Sequence, residues 1–148
     1  MNTEVKTGAD KVHEAVDFIL HDAEGLEYEN YSTSHSGQFV TLDLMAQPHI
    51  AADNCYATTD FLLNHPYLLD NITAMHERSS IVVVSEYNGS SHSAVLLSFP
   101  DQSDRVVLDF TARQFDESIP FPHIASESEW IQFMDNVIGE HSIEITGA

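Results

Sequence analysis

The sequence predicts an α+β fold, and three observations predict it. Residues 8–20 place Val12, Ala15, Val16, Ile19 and Leu20 at i, i+3, i+4, i+7 and i+8, one face of a helix. A second helical stretch opens at Cys55, directly behind the capping residues Asp53 and Asn54. From Ser80 the period changes to a continuous β-branched run, Ile81-Val82-Val83-Val84, with two further apolar runs after it. Helices first and an antiparallel meander afterwards is an α+β order.

The first helix has Asp10 near its start and His21 and Gly25 near its end. Residues 28–37 are rich in Ser, Thr, Tyr and Asn and read as a loop. Residues 38–44 alternate weakly, as a short strand or a short helix that Pro48 ends. The Cys55 helix runs to about Asn64, with Pro66 stopping it, and residues 67–78 carry Leu68, Leu69, Ile72 and Met75 as a second short helix. Strands are expected over 80–85, 92–99 and 105–110. Asn88-Gly89-Ser90 makes the first connection a hairpin, and residues 100–104 make the second turn. Pro120 to Pro122 is a loop. Ser126 caps a helix over 126–138, with Glu129 at the capping-box position, and residues 142–145 add an edge strand.

The 148 residues fit one domain spanning 1–148, long enough to bury a core without metals or disulfides. One cysteine cannot close an internal disulfide. The start, Met1-Asn2-Thr3-Glu4-Val5-Lys6, lacks the basic-then-apolar pattern of a signal peptide. A cytoplasmic protein is expected, or one delivered by a signal-peptide-independent secretion route. No membrane span is expected, because no apolar run is long enough. Twenty-four acids face five bases (Lys6, Lys11, Arg78, Arg105 and Arg113), a formal charge of −19. Such a surface repels nucleic acid and anionic lipid, and attracts cations or a basic protein partner. The acids are spread along the whole chain, so high-salt adaptation, plain solubility and mimicry of DNA charge all account for them.

Three residues carry the chemistry. A free cysteine is ordinarily a small buried hydrophobe. Cys55, however, stands in the first turn of a helix, where the macrodipole favours a thiolate. His92 opens the apolar run His92-Ser93-Ala94-Val95-Leu96-Leu97, immediately after a turn. Asp109 closes Val106-Val107-Leu108 and precedes Phe110, so its carboxylate is expected to be buried and to need a partner, His92 or Arg113. Thiol, imidazole and carboxylate are the parts of a cysteine nucleophile, its base, and the group that orients the base. The nine histidines show no His-x-x-x-His pairing and there is no Cys-x-x-Cys, so no metal site is expected. No Gly-rich phosphate loop is present, and no cofactor is called for.

The segment Val107-Leu108-Asp109-Phe110-Thr111-Ala112-Arg113-Gln114-Phe115 resembles the D-x-T-x-x-Q-F stretch around the third triad residue in the papain-like and transglutaminase-like cysteine superfamily. Asn54-Cys55 and His92-Ser93-Ala94-Val95 resemble its nucleophile and base motifs. The likeness is closest to bacterial glutamine deamidase domains and covers about residues 53–115, under half of the chain. It implies a papain-like core in which a helix carrying Cys55 packs on an antiparallel sheet carrying His92 and Asp109. Cys55 would be the nucleophile, His92 the general base and acid, and Asp109 the orienting carboxylate. Thr111, Arg113 and Gln114 would support the site or the substrate.

An oxyanion donor is also required. Papain-like peptidases place a glutamine a few residues before the cysteine. Here Gln47 lies eight before it with Pro48 between, and Asn54 is the other candidate. The Gly-rich, Trp-containing surroundings of a papain peptidase cysteine are missing, which favours deamidation or amide transfer on a protein or peptide over proteolysis. The alternatives are an acidic inhibitor or DNA mimic without activity, a peptidase of the same fold, and a catalytically dead relative.

Overall fold

The structure, a computed structural model, describes residues 6–30, 38–100 and 104–147. Helix α1 (Gly8–Asp22) starts in a capping box: the Asp10 N–H donates to Thr7 Oγ1 and the Thr7 N–H to Asp10 Oδ2, both at 3.1 Å. Asp10, expected near the helix start, is therefore its third residue, with Thr7 as the cap. Val12, Ala15 and Ile19 are buried as their spacing predicts. The 28–37 stretch opens with a two-residue strand, β1 (Tyr28–Glu29), paired antiparallel with β2 (Phe39–Val40). The remainder of that expected loop, 31–37, lies outside the described residues, as do 101–103 of the expected 100–104 turn.

After β2 the chain makes a 3-10 turn at Leu42–Ala46, so residues 38–44 contain both a strand and a helical turn. Pro48 begins the one-turn helix α2 (Pro48–Ala51) rather than ending an element, since a first helical position needs no N–H. Helix α3 (Cys55–Asn64) has the predicted bounds. The expected helix over 67–78 shrinks to α4 (Pro66–Leu69). Ala74 adopts a left-handed backbone (φ 60°), and the His76 N–H already donates to Ser98 O at 2.8 Å, so the sheet takes over.

Strands β3 (Glu77–Ser85), β4 (Ser91–Ser98) and β5 (Val106–Asp109) form the predicted meander. Strand β6 (His123–Ser126) was not anticipated; it runs into helix α5 (Glu127–Ile138), whose cap is Ser126 as predicted, accepting from the Glu129 N–H at 3.2 Å. Strand β7 (His141–Gly147) supplies the edge. The sheet is antiparallel, in the order β6-β5-β4-β3-β7.

Alternation along the strands divides the core in two. Val95, Leu97, Val106 and Leu108 face α1, α3 and α4. Ile81, Val83, Ala94, Leu96 and Val107 face Trp130 and Met134 of α5. No helix among the described residues is long and apolar enough to cross a membrane.

The packing of α1 on β5 leaves no room at its first residue. A methyl group on Gly8 would lie 2.6 Å from Cδ2 of the buried Phe99 ring and 3.0 Å from Cγ2 of Val106. Gly8→Ala is therefore expected to destabilise the fold by about 1–3 kcal/mol through overpacking, and urea unfolding of the variant measures it.

Candidate active site

The site assembles from the α3 start and the second and third strands of the meander. The chain reaches Cys55 through Asp53, which takes a left-handed backbone (φ 67°), a conformation Asp tolerates better than most residues. Asn54 occupies the cap position without capping. Its Nδ2 donates instead to Asn30 Oδ1 at 2.9 Å and to Ile50 O at 2.6 Å. The expectation that Asn54 caps α3 is corrected: its amide ties the preceding loop to α2 and to the end of β1.

His92 and Asp109 lie on the α5 face of the sheet and are each 1 % exposed. His92 Nε2 meets Asp109 Oδ2 at 2.7 Å. A carboxylate can only accept, so Nε2 carries a proton, and Nδ1 is the ring nitrogen that does not face Asp109. Asp109 has further donors. Trp130 Nε1 donates to Oδ2 at 3.0 Å, and the Thr111 N–H and Oγ1 donate to Oδ1 at 3.0 and 3.3 Å. Phe115 meets the imidazole edge-on at 4.9 Å between centroids, and Trp130 stacks on it at 6.0 Å.

Electrostatics follow from this geometry. Burial disfavours the His92 imidazolium, but the charge and hydrogen bond of Asp109 outweigh it, and the Cys55 sulfur adds a hydrogen bond and charge in the same direction. His92 is held above the usual imidazole range. Burial likewise disfavours ionised Asp109, and His92, Trp130 and Thr111 together outweigh it, so its carboxyl sits below the usual carboxylate range. Each shift favours the charged form of its group, and Cys55, 5 % exposed, stands among the groups that act on the ring.

The remaining sequence-predicted residues divide. Gln114 is at the site: its Nε2 donates to Thr111 O at 3.1 Å and lies 3.3 Å from His92 Nδ1. Arg113 is not a partner of Asp109; its Nε donates to Ile119 O at 2.8 Å and its Nη1 to Ala46 O at 3.2 Å, pinning the segment before α2. Gln47 is exposed at the start of α2 and makes no side-chain hydrogen bond among the described residues. Trp130, the sole tryptophan, escaped the sequence reading. Its signal was available, because a buried indole N–H needs an acceptor and a buried carboxylate needs donors. His123, opposite Asp109 in the β5–β6 ladder, was also missed. Burial lowers its pKa, and its Nδ1 has no hydrogen-bond partner among the described residues. Among the described residues no three His, Cys, Asp or Glu side chains are grouped to hold a metal ion.

Trp130→Phe keeps most of the packing and removes one donor from a buried charge. It is expected to cost about 1.5–3 kcal/mol, read as a shift in the urea midpoint at constant slope.

Fold and contacts together describe an α+β protein in which helices pack on an antiparallel five-stranded sheet, with an imidazole–carboxylate pair buried on the α5 face. No protein-family model matches the chain, and no curated protein matches it. Among solved structures it is similar to the catalytic domain of the Salmonella virulence factor SseI, at 15 % identity and a TM-score of 0.48, over 72 % of this chain and 62 % of that one. The chain therefore spans less than two thirds of that domain, and its chemistry has to be derived from its own residues.

Proposed function

We propose that the protein is a cysteine-dependent amide hydrolase or acyl transferase of papain-like or transglutaminase-like type, with deamidation of a glutamine side chain in a protein as the favoured reaction. The observation that carries this reading is the orientation of His92. Asp109 takes Nε2, which leaves Nδ1 as the base for a thiol in the first turn of α3.

The steps balance on those groups. Nδ1 of His92 takes the Cys55 proton, and the thiolate attacks the carboxamide carbon. The oxyanion that forms needs donors. The Cys55 backbone N–H is one, because the first N–H groups of a helix have no partner within it. The Gln114 amide, beside Nδ1, is the side-chain donor best placed to be the other. Collapse breaks the C–N bond, and the nitrogen leaves as ammonia with the proton from Nδ1. Water then attacks the thioester, giving a proton back through His92, and the C–S bond breaks to release a glutamate carboxylate and the free thiol. An amine in place of water would make the reaction a transfer. The aromatic walls of Phe115 and Trp130 keep water from the imidazole–carboxylate pair.

The charge of −19 supports a second reading, an acidic protein that binds a basic partner without catalysis. In the enzyme reading the same charge draws a basic protein substrate. Ammonia release from glutamine-containing proteins and peptides separates the two. An active preparation that loses release in Cys55→Ala supports the enzyme, and partner binding untouched by Cys55→Ala with no release supports the binder.

A further inference from the structure

Helix α3 packs on β4, Cys55 is among the groups that act on the His92 ring, and the residues next to these two meet. Tyr56 follows the thiol and Ser91 precedes the imidazole. The Tyr56 hydroxyl donates to Ser91 Oγ at 2.7 Å. This second bridge lies at the surface: Tyr56 is 41 % exposed, whereas Cys55 is 5 % and His92 1 % exposed. A carboxamide must place its carbon within about 3–3.5 Å of the sulfur for attack, and Cys55 as a residue is nearly covered.

We propose that the Tyr56–Ser91 hydrogen bond is a latch over the thiol–imidazole pair, and that substrate reaches Cys55 Sγ only when it opens. The proposal rests on the thiol-nucleophile reading for its meaning, but not for its test. A neutral hydrogen bond exposed to water is weak in net terms, because water replaces it when it breaks. A latch made this way is closed at rest and opens at small cost. Tyr56 belongs to the first turn of a helix whose start is held from behind by Asn54, so the ring can swing without moving the thiol.

The test is the rate of Cys55 alkylation by iodoacetamide at about pH 9.5, where an ordinary thiol is ionised and the rate reports access rather than activation by His92. Tyr56→Phe keeps the ring and removes the bond; Ser91→Ala removes the bond from the other side. Each is expected to raise the alkylation rate about two- to tenfold, the range set by one neutral hydrogen bond, with the urea midpoint little changed. Tyr56→Ala, which also removes the cover, should exceed both. Rates equal to wild type in Tyr56→Phe and Ser91→Ala overturn the latch, and so do slower rates, which would make the bond a brace that aligns the pair. Failure of the deamidase reading appears separately, as absent ammonia release at an unchanged access rate.

Discussion

Replacing Cys55 by Ser is expected to reduce ammonia release from a glutamine substrate to background while leaving the fold in place. Cys55 is buried at the start of α3, and serine differs from it only in the smaller oxygen, so the change leaves packing nearly intact. The hydroxyl is a far weaker nucleophile in a site whose base is an imidazole already committed to a carboxylate. His92→Ala should lose activity to a similar degree, since residues that act as one unit are not additive. It should also lower stability, because it strips Asp109 of its charged partner. Ammonia release and urea unfolding on the same preparations check both halves: loss of release with an unshifted Cys55→Ser midpoint is the expected pair.

Asp109→Asn carries the second large effect, and here stability and activity fall together. Both carboxylate oxygens accept: Oδ1 from Thr111, Oδ2 from His92 and Trp130. An amide turns one of them into a donor facing a donor, whichever way it is oriented. If the new N–H₂ faces His92, the ring must carry its proton on Nδ1, and the base is lost. A fall of about 10³- to 10⁴-fold in turnover is expected, the size of effect a wrong imidazole tautomer produces. Breaking a buried pair from one side costs about 3–5 kcal/mol of stability.

The pH dependence of that cost has a sign. The His92 pKa is raised, so its contribution is complete below the ordinary imidazole value of 6.5 and is lost as pH rises through the raised value. The Asp109 pKa is lowered, so its contribution is present above the ordinary carboxylate value of 3.8 and is lost as pH falls through the lowered one. The difference in unfolding free energy between wild type and Asp109→Asn should therefore be widest between these two values and narrow on both sides. Urea titrations across that range measure it.

Much of this was legible in the residues themselves. The helical spacing of α1, the β-branched run of β3, the Asn-Gly-Ser hairpin and the Ser126 cap are local signals, and they survive folding because tertiary contacts agree with them. Asp109 was legible as a buried carboxylate needing a partner, and His92 is that partner. What failed needed information from elsewhere in the chain. Residues 67–78 keep a helical apolar spacing, yet pairing of His76 with Ser98 overrides it. Strand β6 has only Ile124 and Ala125 as apolar residues, too short a run to show a period of two, and its pairing with β5 creates it. Asn54 reads as a cap, yet its amide donates to Asn30 Oδ1 and Ile50 O, and no local pattern places Asn30 beside it. Trp130 on α5 meets Asp109 from 21 residues away, across a fold that no local pattern describes.

Whether His92 activates the sulfur is read from the rate at which iodoacetamide alkylates Cys55 at about pH 6, where an isolated thiol is almost fully protonated. Comparing wild type with His92→Ala isolates the imidazole. If His92 takes the thiol proton, wild type reacts at least about tenfold faster than the variant. Equal rates would mean that the imidazole does not activate the sulfur, and would contradict the assignment of Cys55, His92 and Asp109 to one catalytic unit.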